Sequence, residues 1–152
     1  MPSPADPAVR DFLRRSLVAQ VATRSPSGRA FMTPLWFVVD GGALYVATAA
    51  ETWTAKNVAQ HPEVALLFRD EASERFDRVL RLRGTATCHR GFPSWRVLLR
   101  VAAKYYAPPR ALGVELRNAR KWRLRTLYYA HAKGGPAHLR IVPSEATFLA
   151  PP

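Results

Sequence analysis

Cysteine is nearly missing from this 152-residue chain, Cys88 being the single one. One thiol cannot close an internal disulfide, so a stapled secreted scaffold is excluded and a reduced, cytoplasmic setting is expected. Long apolar runs are missing as well. No stretch approaches the ~20 residues that span a bilayer, and the opening "MPSPADPAV" has neither the basic start nor the apolar centre of a secretory signal. No glycine-rich phosphate loop occurs, which argues against Rossmann and P-loop enzymes. His61, His89, His131 and His138 show no metal-ligand spacing, and Cys88 beside His89 is not a zinc pattern. No serine stands in a nucleophile elbow. Hydrolysis and metal catalysis therefore lack visible equipment: no metal site is expected, and no catalytic side chain is assigned.

Acidic residues are scarce in one half only. Residues 1–80 hold 9 basic and 9 acidic side chains, whereas residues 81–152 hold 14 basic ones against Glu115 and Glu145. The whole net charge of +12 thus belongs to the second half. A basic surface of this kind is either merely solvated or meets an anion such as a nucleic acid or an acidic cofactor.

What is present reads as one domain over 1–152, of the α+β class and mainly β. "DPAVRDFLRRSL" sets Val9, Phe12, Leu13 and Leu17 at helical spacing, with Asp6 as N-cap and Pro7 as first helical residue. Strands follow in "LVAQVATR", "RAFMTPLWFVVD" and "ALYVATA", and Asp40-Gly41-Gly42 between the last two is a hairpin signal. Pro34 interrupts the second of these strands. Proline cannot donate to a sheet ladder, so it belongs at an edge or a bulge. A short helix capped by Thr52 stops at Pro62; "EVALLFRD" and "RVLRLRGTATCHR" are further strands, with Gly84 marking a bulge or a close backbone approach. A basic helical insertion is expected over about 92–122, with Arg96, Arg100 and Lys104 as one stripe and Val97, Leu98, Val101 and Ala102 opposite it. "AHLRIVPSEATFLA" closes the chain as a strand.

One constellation points to chemistry. Thr48 ends a strand, Thr52 and Thr54 stand at the mouth of the short helix, and Lys56 and Asn57 lie in its first turns. Unpaired N–H groups at a helix start, threonine hydroxyls and a lysine together suit a phosphate. The plainer reading is a capped surface helix carrying a solvated lysine.

The stretches "SGRAFMTPLWFV", "GALYVATA" with its following Thr/Lys helix, and "NVAQHPEVALLF" resemble the pyridoxamine 5'-phosphate oxidase-like, flavin-binding split-barrel proteins, as do "RVLRLRGTATCHR" and "LRIVPSEATFL". The likeness covers roughly 9–90 and 137–149. It implies a six-stranded antiparallel split β-barrel with flanking helices, a homodimer, and FMN held at the subunit interface. It further implies ring contacts from Met32, Thr33, Pro34, Leu35 and Trp36, hydroxyl donors at Thr48, Thr52 and Thr54, and a counter-charge at Lys56; Asn57, from the same turns of the helix, is counted with these cofactor-binding candidates. On this reading Pro34 marks where the strand stops pairing. Backbone groups of Thr33 and Leu35 then face the ring's polar edge, and Met32, Leu35 and Trp36 form its apolar wall.

The chain departs from the vitamin B6 oxidases themselves. Met32 and Phe37 stand where those enzymes carry an arginine and a lysine, Thr52, Trp53 and Thr54 replace a Ser-Arg-Lys cluster, and Val79 replaces a glutamine. The expected function is accordingly an FMN-dependent oxidoreductase moving hydride to or from a small-molecule substrate. The deazaflavin F420 is the alternative cofactor, its anionic tail suiting Arg81, Arg83, Arg96, Arg100 and Lys104. A different class is a nucleic-acid or anionic-partner module using the same cations with Tyr105, Tyr106, Tyr128 and Tyr129. Haem sequestration has only His89 and His131 as nominal ligands.

Overall fold

A computed structural model describes residues 3–70, 78–107 and 134–149. In chain order these form α1 (Pro7–Arg15), β1 (Val18–Arg24), β2 (Ala30–Asp40), β3 (Ala43–Ala49), α2 (Trp53–Gln60), β4 (Glu63–Arg69), β5 (Val79–Arg90), α3 (Trp95–Tyr105) and β6 (Pro136–Leu149). The six strands close into an antiparallel barrel in the order β1-β2-β3-β6-β5-β4. The expected fold class, an α+β chain dominated by a six-stranded antiparallel barrel with flanking helices, is the one observed.

Period-2 alternation fills the interior. Phe37, Leu44, Leu66, Phe68, Leu80, Leu82, Leu139 and Ile141 are essentially inaccessible to solvent. Phe37 and Phe68 meet edge to face at 4.8 Å across the middle. Helix α1 starts as its sequence dictates: the Asp6 carboxylate accepts from the Ala8 N–H at 2.9 Å and Pro7 occupies the first turn. It sends Val9, Phe12 and Leu13 into the core, but Leu17 falls beyond the helix and is exposed. Helix α2 adds Val58 to the same cluster.

Two irregularities position the site. Gly41 and Gly42, with φ of 57° and 77°, make the two-residue turn between β2 and β3. From that turn β2 and β3 pair only over Phe37–Asp40 and Ala43–Val46. The remainder of β2, from Ala30 to Trp36, pairs with β1 alone, and its other side has no strand beside it. Pro34 lies within this half-paired stretch, opposite Gln20. The second irregularity is at Gly84, where the β5–β6 register shifts and Ser144 is skipped between Pro143 and Glu145. A Cβ on Gly84 would stand 2.4 Å from the Val142 carbonyl oxygen, so the bulge and the close approach are one feature.

Helix α3 packs on β2 through groups far apart in the sequence. The Tyr105 hydroxyl accepts from the Phe37 N–H at 2.9 Å and lies 2.7 and 2.8 Å from the Phe37 and Leu17 carbonyls. Its indole neighbour Trp36 stacks on the Tyr105 ring at 4.6 Å. The rest of the expected basic insertion, 108–122, lies outside the described residues, as do Tyr128 and Tyr129.

Candidate cofactor site

The open side of β2 follows from backbone parity. The N–H and C=O of Phe37 both meet the Tyr105 hydroxyl on the side of Leu17, hence on the β1 side. In a strand the direction alternates residue by residue. Thr33 and Leu35 therefore also turn their backbone groups toward β1, opposite Val21 and Ala19. The backbone groups of Met32, Pro34 and Trp36 turn to the other side, and the N–H that proline lacks would have had no strand to bind there. This corrects the sequence expectation for Thr33 and Leu35 by one position. The same step moves the apolar wall. Leu35 packs toward the core, whereas Met32, Pro34 and Trp36 face outward, Met32 with 57% and Trp36 with 40% of its surface exposed.

At the end of this strand lies the mouth of α2. A cavity of about 430 Å³ is lined there by Thr33, Glu51, Thr52, Trp53, Thr54 and Lys56. Their hydrogen bonds decide what each can offer. Thr52 is spent on capping: its Oγ1 donates to the Ala49 carbonyl (2.9 Å) and accepts from the Ala55 N–H (3.2 Å). With its proton committed, Thr52 can only accept from Thr48 Oγ1 at 2.9 Å. Thr54 Oγ1 bonds Thr33 Oγ1 at 3.2 Å, which leaves one proton between the pair for an acceptor in the cavity. Asn57 is fully buried and ties α2 to β1 through Nδ2 and Thr23 Oγ1 at 3.1 Å, with Oδ1 unpaired, so it is a structural residue rather than a cavity group.

Among the described residues, the N–H groups of Trp53 and Thr54 have no acceptor, since Ala55 is capped by Thr52 Oγ1 and Lys56 N–H reaches the Thr52 carbonyl at 3.0 Å. Lys56 makes no ion pair there and sits 5.8 Å from the ring centre of Trp53, itself stacked on Phe31 at 5.9 Å. Two orphan donors, a hydroxyl pair and one cation fit a phosphate monoester. Glu51 opposes it from the same wall.

On the other side of Thr48 is a second, more closed chamber of about 240 Å³ between β3, β6 and α3, lined in part by Trp36, Tyr45, Thr48, Phe92, Val101 and His138. Among the described residues, none that lines it is an Asp, Glu, Lys or Arg. A third space, a cleft of about 670 Å³, brings Arg10 and Arg14 of α1 near Arg100 and Lys104 of α3. The α3 stripe is largely engaged. Arg100 Nε lies 2.7 Å from Asp40 and Arg96 3.9 Å, while Lys104 donates to the Leu13 carbonyl at 3.1 Å and lies 3.6 Å from the Phe37 ring centre. Arg81 and Arg83 sit on β5, three strands round the barrel from β2, and do not line this cleft. The expected single basic groove is thus corrected to two separate surfaces.

The family model described as Pyridoxamine 5'-phosphate oxidase matches residues 5–129. The chain belongs to the pyridoxamine 5'-phosphate oxidase family. No curated protein matches it. Solved structures similar to this member include the conserved hypothetical protein Rv2991 from Mycobacterium tuberculosis, 22% identical, with a TM-score of 0.67 over 94% of this chain and 82% of that one. An F420 reductase is 20% identical, with a TM-score of 0.63 over 91% and 94%. HutZ, a haem storage protein from Vibrio cholerae, is 16% identical, with a TM-score of 0.60 over 95% and 92%. At these identities the likeness is one of fold.

Sequence reasoning missed Trp53, Glu51, Tyr45 and His138 as lining residues of this family member's cavities. His138 was visible only as a histidine without metal spacing, because β6 reaches Tyr45 and His89 by register rather than by proximity in sequence. His89 stacks on His138 at 5.3 Å, and His131 lies outside the described residues. Burial raises the pKa of the half-buried Cys88 thiol, partly countered by Arg90, which fits a packing residue and not a nucleophile. Among the described residues no group of three metal-ligating side chains occurs, and no helix is long and apolar enough to cross a membrane.

Proposed function

We propose that this protein is a flavin-dependent oxidoreductase that binds FMN and moves hydride to or from a small-molecule substrate, as a homodimer in the cytoplasm. Bound FMN would supply the hydride chemistry itself. The chain's residues bind and orient it. Lys56 and the N–H groups of Trp53 and Thr54 hold the phosphate, and the Thr33–Thr54 hydroxyl pair donates the remaining hydrogen bond. Met32, Pro34 and Trp36 offer the apolar strip along which the ring lies, with the Met32 N–H group and the Met32 and Pro34 carbonyls as polar contacts. The observation that carries this reading is the meeting of an unsatisfied helix start with a half-paired strand edge, a cation for the anion beside a flat wall for the ring. A single domain over 1–152 with a basic insertion at about 92–122 is the organisation proposed with it.

The phosphate assignment is tested by comparing FMN with riboflavin, which has the same ring and no phosphate. Lys56→Ala should weaken FMN by roughly tenfold or more, the scale of a lost hydrogen bond to a charged group. Riboflavin affinity and thermal stability should stay at their wild-type values. Equal FMN affinity in wild type and variant would remove the assignment.

F420 is the second reading: the cleft that gathers Arg10, Arg14, Arg100 and Lys104 carries more cations than its carboxylate neighbours Asp11 and Asp40 offset, which favours a polyanionic tail. Engagement of Arg96 and Arg100 with Asp40, and of Tyr105 with Trp36, weighs against a nucleic-acid module.

A further inference from the structure

We propose that the chamber between β3, β6 and α3 is a binding pocket for a small, uncharged aromatic molecule of one or two rings that donates a hydrogen bond to Nε2 of His138. Its role as the substrate pocket of the redox site rests on the FMN reading; its capacity to bind such a molecule does not.

Size, polarity and one tautomer point to this class. An apolar cavity of ~150 Å³ accepts benzene, so about 240 Å³ accommodates a molecule of roughly bicyclic size. The walls are aromatic and aliphatic: Trp36 is held flat against Tyr105, Tyr106 meets it edge-on at 6.3 Å, and Phe92, Leu98 and Val101 complete the side made by α3 and its approach. Among the described lining residues there is no carboxylate, ammonium or guanidinium, so a charged guest would lose its hydration with no countercharge from them to replace it.

The polar fixture is His138. Its Nδ1 lies 3.0 Å from the Gly91 carbonyl oxygen. A carbonyl can only accept, so Nδ1 carries the proton, and in the neutral ring Nε2 is left as an acceptor. Tyr45 and His89 pack against the same imidazole at 6.3 and 5.3 Å between ring centres and restrain its orientation. The chamber also adjoins the proposed cofactor site on two sides. Trp36 lines it while belonging to the open edge of β2, and Thr48 lines it while bonding Thr52 at the cap of α2.

The test uses 1-naphthol, 1-naphthoate and 1-methoxynaphthalene, titrated calorimetrically into the full-length protein, with FMN affinity measured alongside. Wild type should bind 1-naphthol and bind the charged 1-naphthoate at least about tenfold more weakly. His138→Phe should weaken 1-naphthol by about tenfold while leaving 1-methoxynaphthalene, which has no donor, unchanged. Val101→Trp should fill the space and abolish binding of the neutral probes without altering FMN affinity; Leu98→Trp serves if that variant does not fold. Failure of wild type to bind 1-naphthol, equal binding of 1-naphthoate, or unaltered binding by the filled variant would overturn the pocket. Competition between FMN and 1-naphthol would also overturn it, by giving the chamber to the flavin ring. Naphthol binding without FMN uptake would leave the pocket standing and remove the redox role.

Discussion

At the scale of single residues, the molecule depends on side chains that satisfy backbone groups another strand would otherwise take. Tyr105 is the clearest case. Its hydroxyl sits between Leu17 and Phe37 just where the β1–β2 ladder ends, accepting one N–H and serving two carbonyls with one proton. Tyr105→Phe keeps the ring on Trp36 and removes only that oxygen, leaving the Phe37 N–H without its acceptor. The expected loss is about 1–3 kcal/mol in a urea unfolding experiment, and a loss too small to measure would show that water replaces the hydroxyl freely. Thr52 was legible as a cap and was given a second duty as a phosphate donor, which its bonds to Ala49 and Ala55 exclude. A hydroxyl has one proton, and the sequence cannot say which acceptor takes it.

Among the elements, β2 and β5 show what a sequence can and cannot say about a strand. Pro34 correctly marked an edge, and Asp40-Gly41-Gly42 correctly marked a two-residue turn, because both are local demands of the backbone. Which residues faced out was misread for Leu35, since the parity is fixed by partners at β1 and α3 and an error of one residue reverses the face. The α3 stripe was misread for a similar reason: Asp40, which holds Arg96 and Arg100, comes from another part of the chain. Gly84 offers a test at this scale. Its backbone is one that any residue adopts, so only the approach of the Val142 carbonyl constrains it. Gly84→Ala should cost about 1–3 kcal/mol, as overpacking does, seen as a lower midpoint of thermal unfolding. A variant as stable as wild type would mean that β6 can draw back from β5 at the bulge without loss.

For the molecule as a whole, the barrel buries its core well and yet leaves large apolar side chains outside it. Trp53, Phe92 and Trp95 are each about two-thirds exposed or more, at 66%, 65% and 70%, and Met32 and Leu99 join them. Scattered exposed apolar residues need no explanation, but several large ones around a proposed cofactor edge fit a face that another copy covers. If the site is completed by a second protomer, FMN binds the dimer more tightly than the monomer, and the same coupling must make FMN promote dimerisation. Sedimentation velocity over a range of protein concentrations should therefore show the dimer persisting to lower concentration when FMN is present, and the unfolding temperature should rise with protein concentration as well as with FMN. Lys56→Ala should lose the FMN-dependent part of that shift and keep the concentration-dependent part, because Lys56 is assigned to the phosphate and not to the interface. A protein that takes up one FMN per chain while remaining a monomer throughout would place the whole site within a single barrel.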